Sequence, residues 1–219
     1  KIVYYSSTHE HKTLNSVVLM IAYMIFMRNA SLEEAYGPLL GCEPPLVTFR
    51  DAALCLNTCP LTILDCAMAL RRVADLSHYA HSSFDLKTFQ HLSLLQNGDV
   101  SWVVPGKFIA FSGPLAKRRP LGDGIFSMNP GEYVPLFHRL GVTCIVRFNS
   151  KQYDKNIFVS AGIRHIDLYY EDGGNPTQAI MQKFIQICEA EKGAIAVHCK
   201  AGLGRTGTNI GAYMIKHYN

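Results

Sequence analysis

From Trp102 to the end of the chain, short apolar runs alternate with stretches of helical period: FIAFSG, PGEYVPLFHRL, VTCIVRF, RHIDLYY, PTQAIMQKFIQICEA and AIAVHC, in that order. Runs rich in Val, Ile and Phe fit strands buried on both faces. Their alternation with helices calls for a sheet with parallel members, flanked by those helices. The front of the chain reads differently. A buried strand is expected at about Ile2–Tyr5, then a polar loop Ser6–Lys12, then a buried apolar helix through Val17–Met27 that ends near Arg28. Ser31 with Glu34 forms a capping box that opens a second helix, SLEEAYGPLL. A third is expected from about Pro60 to Leu76, with Pro60 in its first turn. Asp85 is placed to cap a fourth, LKTFQHLSLL, which stops before Asn97-Gly98. The expected class is α/β with a mixed central sheet flanked by helices. A helix-rich front part, residues 1–98, precedes an α/β rear part, residues 99–219.

Composition removes several function classes. The 219 residues are 48% hydrophobic and 17% charged, with a formal net charge of +4. The basic residues are dispersed except for Lys117-Arg118-Arg119, which reads as a solvated loop between Pro114 and Pro120 and not as a nucleic-acid stripe. The apolar run Val17–Met27 falls short of the roughly 20 residues a bilayer span needs. Cys42, Cys55, Cys59, Cys66, Cys144, Cys188 and Cys199 are odd in number and contain no CxxC pair, so reduced thiols in a cytosolic or nuclear protein are expected, with no metal site. His9 with His11, and His78 with His81, have no ligand partners at diagnostic spacing. The opening at Lys1 and the close inside the helical GAYMIKHYN give both ends the look of cuts in a longer protein.

The segment Val197-His198-Cys199-Lys200-Ala201-Gly202-Leu203-Gly204-Arg205-Thr206-Gly207 is far more specific than any other. A strand delivers a cysteine to the carboxyl edge of the sheet, where open α/β folds bind ligands. Glycines at 202, 204 and 207 let the loop wrap with its amides inward, and a helix N-terminus follows. Lys200, Ala201, Gly202, Leu203, Gly204 and Arg205 would then bind a phosphate dianion. The same amides stabilise a thiolate, which makes Cys199 a nucleophile toward phosphorus. Arg205 can bind two phosphoryl oxygens with its planar fork, and Thr206 can donate a hydroxyl hydrogen bond to the sulfur. His198 reads as a support of the loop. A Walker loop is excluded because Arg205 stands where its lysine belongs.

A leaving alkoxide needs a proton. Asp172 in Tyr170-Glu171-Asp172-Gly173-Gly174-Asn175-Pro176 is the expected general acid, on a glycine-rich loop able to close over substrate. Asn175 is expected to cap the next helix, leaving Asp172 free, and Glu171 is a weaker alternative acid. The chemistry would run through phosphocysteine and its hydrolysis by water, without a cofactor.

The loop HCKAGLGRTGT, the acid loop EDGGNP and the phrases VTFRDAA, NGDVSWVVPGKFIAFSGP and EKGAIAVHCK together resemble the cell-division-cycle-fourteen family of dual-specificity phosphatases, over nearly the whole chain. The resemblance implies tandem phosphatase-like domains, a silent front one, incomplete here, and a catalytic rear one with Cys199, Arg205 and Asp172 in the roles above. It also turns an internal echo into a degenerate phosphate loop at Ser6–Lys12. Strand, polar loop and apolar helix recur at both ends and finish on Ala-Tyr-Met-Ile, at 22–25 and 212–215, which chance could also produce. By resemblance the substrates are phosphoserine-proline sites made by cyclin-dependent kinases, with basic residues downstream, in mitotic exit and cytokinesis. The locations implied are nucleus, nucleolus and cytoplasm, with spindle or centrosome. An acidic groove is expected to include Asp99, with Gln96 standing where a carboxylate would be and Asp65 as a further contributor. The helices after the catalytic loop, with a glutamine that positions the hydrolytic water, would lie outside this chain. Asn209 departs from the family by replacing an apolar residue, at an expected cost in packing if it faces inward. Two other readings stay open: a tensin-like phosphoinositide phosphatase, which shares HCKAG-x-GRTG but carries a lysine where this chain has Leu203, and a non-catalytic phosphopeptide-binding fragment.

Overall fold

A computed structural model describes residues 3–50 and 59–218; Cys55 and the Asp51–Ala53 part of VTFRDAA lie outside the described residues. The chain divides into two compact units, Lys1–Phe84 and Asp85–Asn219. This division falls ahead of the change of character between residues 98 and 99, because the helix capped by Asp85 packs with the rear unit, where Leu92 joins the core beside Val100.

In the first unit, helices α1 (Glu10–Arg28), α2 (Leu32–Tyr36) and α3 (Ile63–Asp75) meet around Leu14, Ile21, Ile25, Ala35, Ile63 and Ala67. The Ser31–Glu34 capping box is present in both directions. Three expectations are corrected. Of the strand expected at Ile2–Tyr5, Ile2 lies outside the described residues, and Val3, Tyr4 and Tyr5 form no strand and are exposed, since no strand among the described residues pairs with them. Helix α1 is not buried all round: Leu14, Ile21 and Ile25 are buried, while Leu19, Tyr23 and Met27 are exposed. The third helix starts after Thr62, not at Pro60: Thr62 and Asp65 close a second capping box, a stronger start than a proline two residues earlier.

The second unit opens with α4 (Leu86–Leu92), whose first turn is capped by the Asp85 carboxylate accepting from the Thr88 amide at 3.0 Å. A five-stranded sheet follows, built from β1 (Val100–Val104), β2 (Phe108–Phe111), β5 (Val142–Arg147), β6 (Arg164–Asp167) and β7 (Ala194–His198) in the order β1-β2-β7-β5-β6. Only β1 is antiparallel to its neighbour; the other four strands run the same way, so the sheet is mixed as expected. A short hairpin, β3 (Pro120–Gly122) and β4 (Ile125–Phe126), precedes α5 (Pro130–Arg139), and α6 (Asn156–Val159), α7 (Gln178–Ala190) and α8 (Gly204–Tyr218) complete the unit.

Period-two alternation along the strands sends side chains to two separate cores. On one face Ile109, Phe111, Ile145 and Ala196 pack with Tyr133, Leu136 and Phe137 of α5 and Phe158 of α6. On the other, Phe108, Val146, Ile195 and Val197 pack with Phe184 and Ile187 of α7 and Ile210 and Tyr213 of α8. Phe137 is fully buried and lies edge-on to Phe111, with Tyr133 and Phe158 beside it. Phe137→Ala is expected to cost about 3–5 kcal/mol of stability, read as a fall in the urea midpoint at unchanged slope for the transition of this unit.

Candidate active site

Strand β7 sits between β2 and β5, and all five of its residues are buried. Because β2, β7, β5 and β6 are parallel, the loops after them gather at one edge of the sheet. Cys199 is the first residue past the central strand, 3% exposed. The chain then wraps tightly enough that two glycines are obligatory. Gly202 has φ +71°, and a Cβ there would come within 2.3 Å of the Phe111 carbonyl oxygen. Gly113, in the turn after β2, donates its amide to Lys200 O at 3.1 Å, and a Cβ on it would come within 2.3 Å of Cys199 O. The turn after β2 is thus a floor on which the cysteine loop rests.

Burial would push the Cys199 thiol up. The Thr206 hydroxyl, with the amides of Thr206, Leu203 and Gly202, outweighs that burial and holds the thiol below its ordinary value. The Thr206 hydroxyl is buried and makes no hydrogen bond in the structure, so its proton stays available to the sulfur whose pKa it lowers.

Arg205 occupies the first turn of α8 and is 5% exposed. Its Nη1 donates to the main-chain carbonyls of Tyr170 at 2.9 Å and Phe148 at 3.3 Å. Nη2 lies 3.3 Å from Asp172 Oδ1, and Nε is buried without a partner. One edge of the guanidinium is therefore fixed by backbone, while the Nε and Nη2 edge keeps the donors that a phosphoryl group would accept from. Asp172 itself is well exposed, on the loop after β6. A cavity of about 300 Å³ opens here, lined among others by Gly113, Asn149, Glu171, Asp172, Lys200 and Arg205. Glu171 accepts a 2.5 Å hydrogen bond from the Tyr169 hydroxyl.

Beneath the loop runs a buried row of polar side chains. The Cys199 carbonyl can only accept, so His198 Nδ1, 2.9 Å away, carries the hydrogen. His198 Nε2 is then an acceptor and takes the Tyr153 hydroxyl at 2.7 Å, and Tyr153 Oη accepts from His165 Nε2 at 2.7 Å. Arg147 holds Tyr153 in place, donating from Nη1 to its carbonyl at 3.1 Å and from Nε to Asp167 at 2.7 Å. Burial pushes His165 down to about 4 and His198 down to about 3, so both rings are neutral.

The structure thus brings Cys199, Lys200, Arg205, Thr206 and Asp172 to one sheet edge. Ala201, Gly202, Leu203 and Gly204 form the intervening turn, with Leu203 74% exposed at its tip. Asp99 and Gln96 do not line the cavity; they lie in the turn before β1, Gln96 in a single helical turn and Asp99 at φ +50°. Asp65 belongs to the first unit, where its carboxylate accepts from the Thr62 amide and hydroxyl. Asn175 is not the helix cap: Thr177 is, its hydroxyl accepting from the Ile180 amide, because α7 starts at Gln178. Sequence reasoning missed Gly113, Tyr153, His165 and Tyr170. Gly113 had a signal, a Gly-Pro pair ending a strand, whereas Tyr153 and His165 meet His198 only through the fold. Among the described residues no cluster of His, Cys, Asp and Glu is disposed to hold a metal ion, and no helix is long and apolar enough to cross a membrane.

Two family models match: the N-terminal half of dual specificity protein phosphatases over residues 1–73, and a polymorphic toxin system DSP-PTPase phosphatase over residues 132–219. Among curated proteins, the chain is 44% identical over its whole length to dual specificity protein phosphatase CDC14A of Mus musculus, covering 36% of that protein. It is 40% identical to CDC14B of the same species, again over the whole chain and covering 45% of that protein. It is 39% identical to the tyrosine-protein phosphatase CDC14 homolog of Schizosaccharomyces pombe, over 99% of the chain and 41% of that protein. The chain thus spans less than half the length of these three relatives. Among solved structures, P. aeruginosa TpbA is 21% identical with a TM-score of 0.41, over 54% of this chain and 63% of that one.

Two measurements follow from the geometry. Thr206→Val removes one donor to the thiolate, so the pH midpoint for iodoacetamide alkylation of Cys199 should move up and alkylation at pH 6 should slow several-fold; an unmoved midpoint would contradict the role given to the hydroxyl. The neutral histidines make the folded state bind fewer protons than the unfolded one below pH 6.5. Stability should therefore be full above about pH 6.5 and fall as pH drops toward 4, by at most about 1.4 kcal/mol per pH unit for each ring. Urea titrations at pH 7, 6 and 5 read this slope, and His198→Gln should flatten it.

Proposed function

This chain belongs to the CDC14 family of dual specificity protein phosphatases, and we propose that its second unit hydrolyses phosphoserine, phosphothreonine and phosphotyrosine through a phosphocysteine intermediate. The observation that carries this reading is the buried Cys199 thiol, held below its ordinary pKa by the amides of Gly202, Leu203 and Thr206 and by the Thr206 hydroxyl, with Arg205 and Asp172 lining a cavity at the same sheet edge.

In the first step the Cys199 thiolate attacks phosphorus, a P–S bond forms and the P–O bond to the substrate breaks. Arg205 Nε and Nη2 bind two equatorial oxygens as charge spreads over them, and Asp172, in its protonated form, gives the leaving alkoxide its proton. For that, Asp172 must leave Arg205, which an incoming phosphoryl group brings about by taking the same guanidinium edge. In the second step water attacks phosphorus, Asp172 takes its proton, and the P–S bond breaks to return the thiolate, with Thr206 hydrogen-bonded to the departing sulfur. No cofactor takes part in either step.

Membership in the family supports the finer assignments. The first unit is read as a non-catalytic phosphatase-like half in tandem with the catalytic one, with Ser6–Lys12 its degenerate phosphate loop. The substrates are read as proline-directed sites of cyclin-dependent kinases. Selection of basic residues downstream is assigned to Asp99, with Gln96 as a further contributor. The place of action is cell-cycle control at mitotic exit, in nucleus, nucleolus and cytoplasm, with spindle or centrosome, which imaging of a tagged protein through division would test.

The deciding experiment measures phosphate release from matched phosphoserine-proline, phosphoserine-alanine and phosphoinositide substrates. Activity selective for the proline site is expected. Cys199→Ser should abolish it, and Asp172→Ala should lower kcat by about 10²–10⁴-fold. Preference for the phosphoinositide would replace this reading by lipid phosphatase activity, and tight phosphopeptide binding without turnover by the native chain would replace it by a binding role.

A further inference from the structure

Asn209, on α8 one turn beyond Arg205, is fully buried in the rear unit. Its amide nitrogen donates twice, to the Tyr170 hydroxyl at 2.8 Å and to the Arg205 carbonyl at 2.8 Å. Its carbonyl oxygen is buried with no partner, an arrangement that costs stability and that an apolar residue of similar size would avoid. Tyr170 is buried as well, two residues ahead of Asp172 in the chain. Its hydroxyl donates to the Arg205 carbonyl at 3.3 Å, and its own carbonyl accepts the 2.9 Å bond from Arg205 Nη1. Tyr170 thus holds Arg205 at both ends: the side chain grips its backbone and the backbone grips its guanidinium. Asn209 locks the side-chain grip.

We propose that Asn209 and Tyr170 form a positioning clamp that fixes the orientation of the Arg205 guanidinium and ties the root of the acid loop to it. Neither residue reaches the cavity, and both act through Arg205. Proper aim of the Nε and Nη2 edge depends on where the Tyr170 carbonyl stands, because Nη1 is hydrogen-bonded to it and the guanidinium is planar and rigid. The Tyr170 carbonyl stays in place because its ring is pinned to the first turn of α8. The Asn209 carbonyl left bare is the cost of delivering two donors from one amide. The clamp rests on the phosphatase reading for its effect on turnover, but not for its effect on anion binding.

The test uses the 219-residue chain and three variants: Tyr170→Phe, which changes shape least, Asn209→Leu, and the double variant. Three quantities are read: kcat and KM on a phosphoserine-proline peptide, the thermal midpoint, and the protection by inorganic vanadate of Cys199 against iodoacetamide. A misaimed guanidinium should lower kcat by about tenfold in each single variant, with KM within twofold, and should raise by several-fold the vanadate concentration that half-protects Cys199. The double variant should be no worse than the worse single one, because both substitutions release the same clamp. A merely structural pair would move the thermal midpoint and leave kcat and vanadate protection alone. Single variants within twofold of the parent in both readouts, or losses that multiply in the double variant, would overturn the clamp. A parent chain that turns over no substrate would overturn the function proposed above, and vanadate protection would still decide the clamp.

Discussion

A thiol that ionises inside a protein puts a charge into a medium that resists charge, and the geometry around Cys199 lowers the cost of that step. The amides that hold it are held in turn by the sheet: β7 is the central strand, its residues are all buried, and its neighbours on both sides fix where it ends. Two glycines then let main chain touch main chain at the loop's two closest approaches. Had the strand been an edge strand, or had Gly113 or Gly202 carried a side chain, the amides would not converge on one sulfur. Packing, topology and chemistry meet at this one atom.

The arginine is held by a different device. Its charge is met by two main-chain carbonyls on one edge and by a carboxylate on the other, so that it is neither unpaired nor fully committed. Burial makes the backbone contacts durable, since few competing waters reach them, whereas the exposed carboxylate is a partner that water weakens. The strong contacts orient the group and the weak one is exchangeable. A binding site built the other way round would hold its arginine rigidly in the wrong pairing.

How far the sequence told this in advance depends on whether the signal was local. The strand-loop-helix around Cys199 was legible because glycines, thiol and arginine lie within nine residues of one another, and each has a backbone reason to be there. The β-α alternation, the Ser31–Glu34 box and the Asp85 cap were legible for the same reason. Failures came where tertiary partners decide. Ile2–Tyr5 had strand composition but Val3–Tyr5 find no ladder, and α1 was apolar enough to look buried although the first unit covers only one of its faces. Asn175 had a cap's identity, yet the helix began two residues later. Tyr153, His165 and Tyr170 left no trace, because their partners are 45, 12 and 35 residues away along the chain, at His198, Tyr153 and Arg205. Asn209 was legible as an oddity but not as a donor, since its partners come from another strand's loop.

The row beneath the loop has a sense of direction. His165 gives to Tyr153, Tyr153 to His198, and His198 to the Cys199 carbonyl, each step forced by the one that follows it. A chain of neutral donors that all point one way adds its dipoles, with the positive end toward the loop, yet it adds no net charge and changes none as the surroundings turn from alkaline to mildly acidic. Cys199 therefore lies in a field that is set by shape and not by titration. Within that field, a rate that varied with acidity would report the reacting groups themselves and the substrate, and not their scaffold.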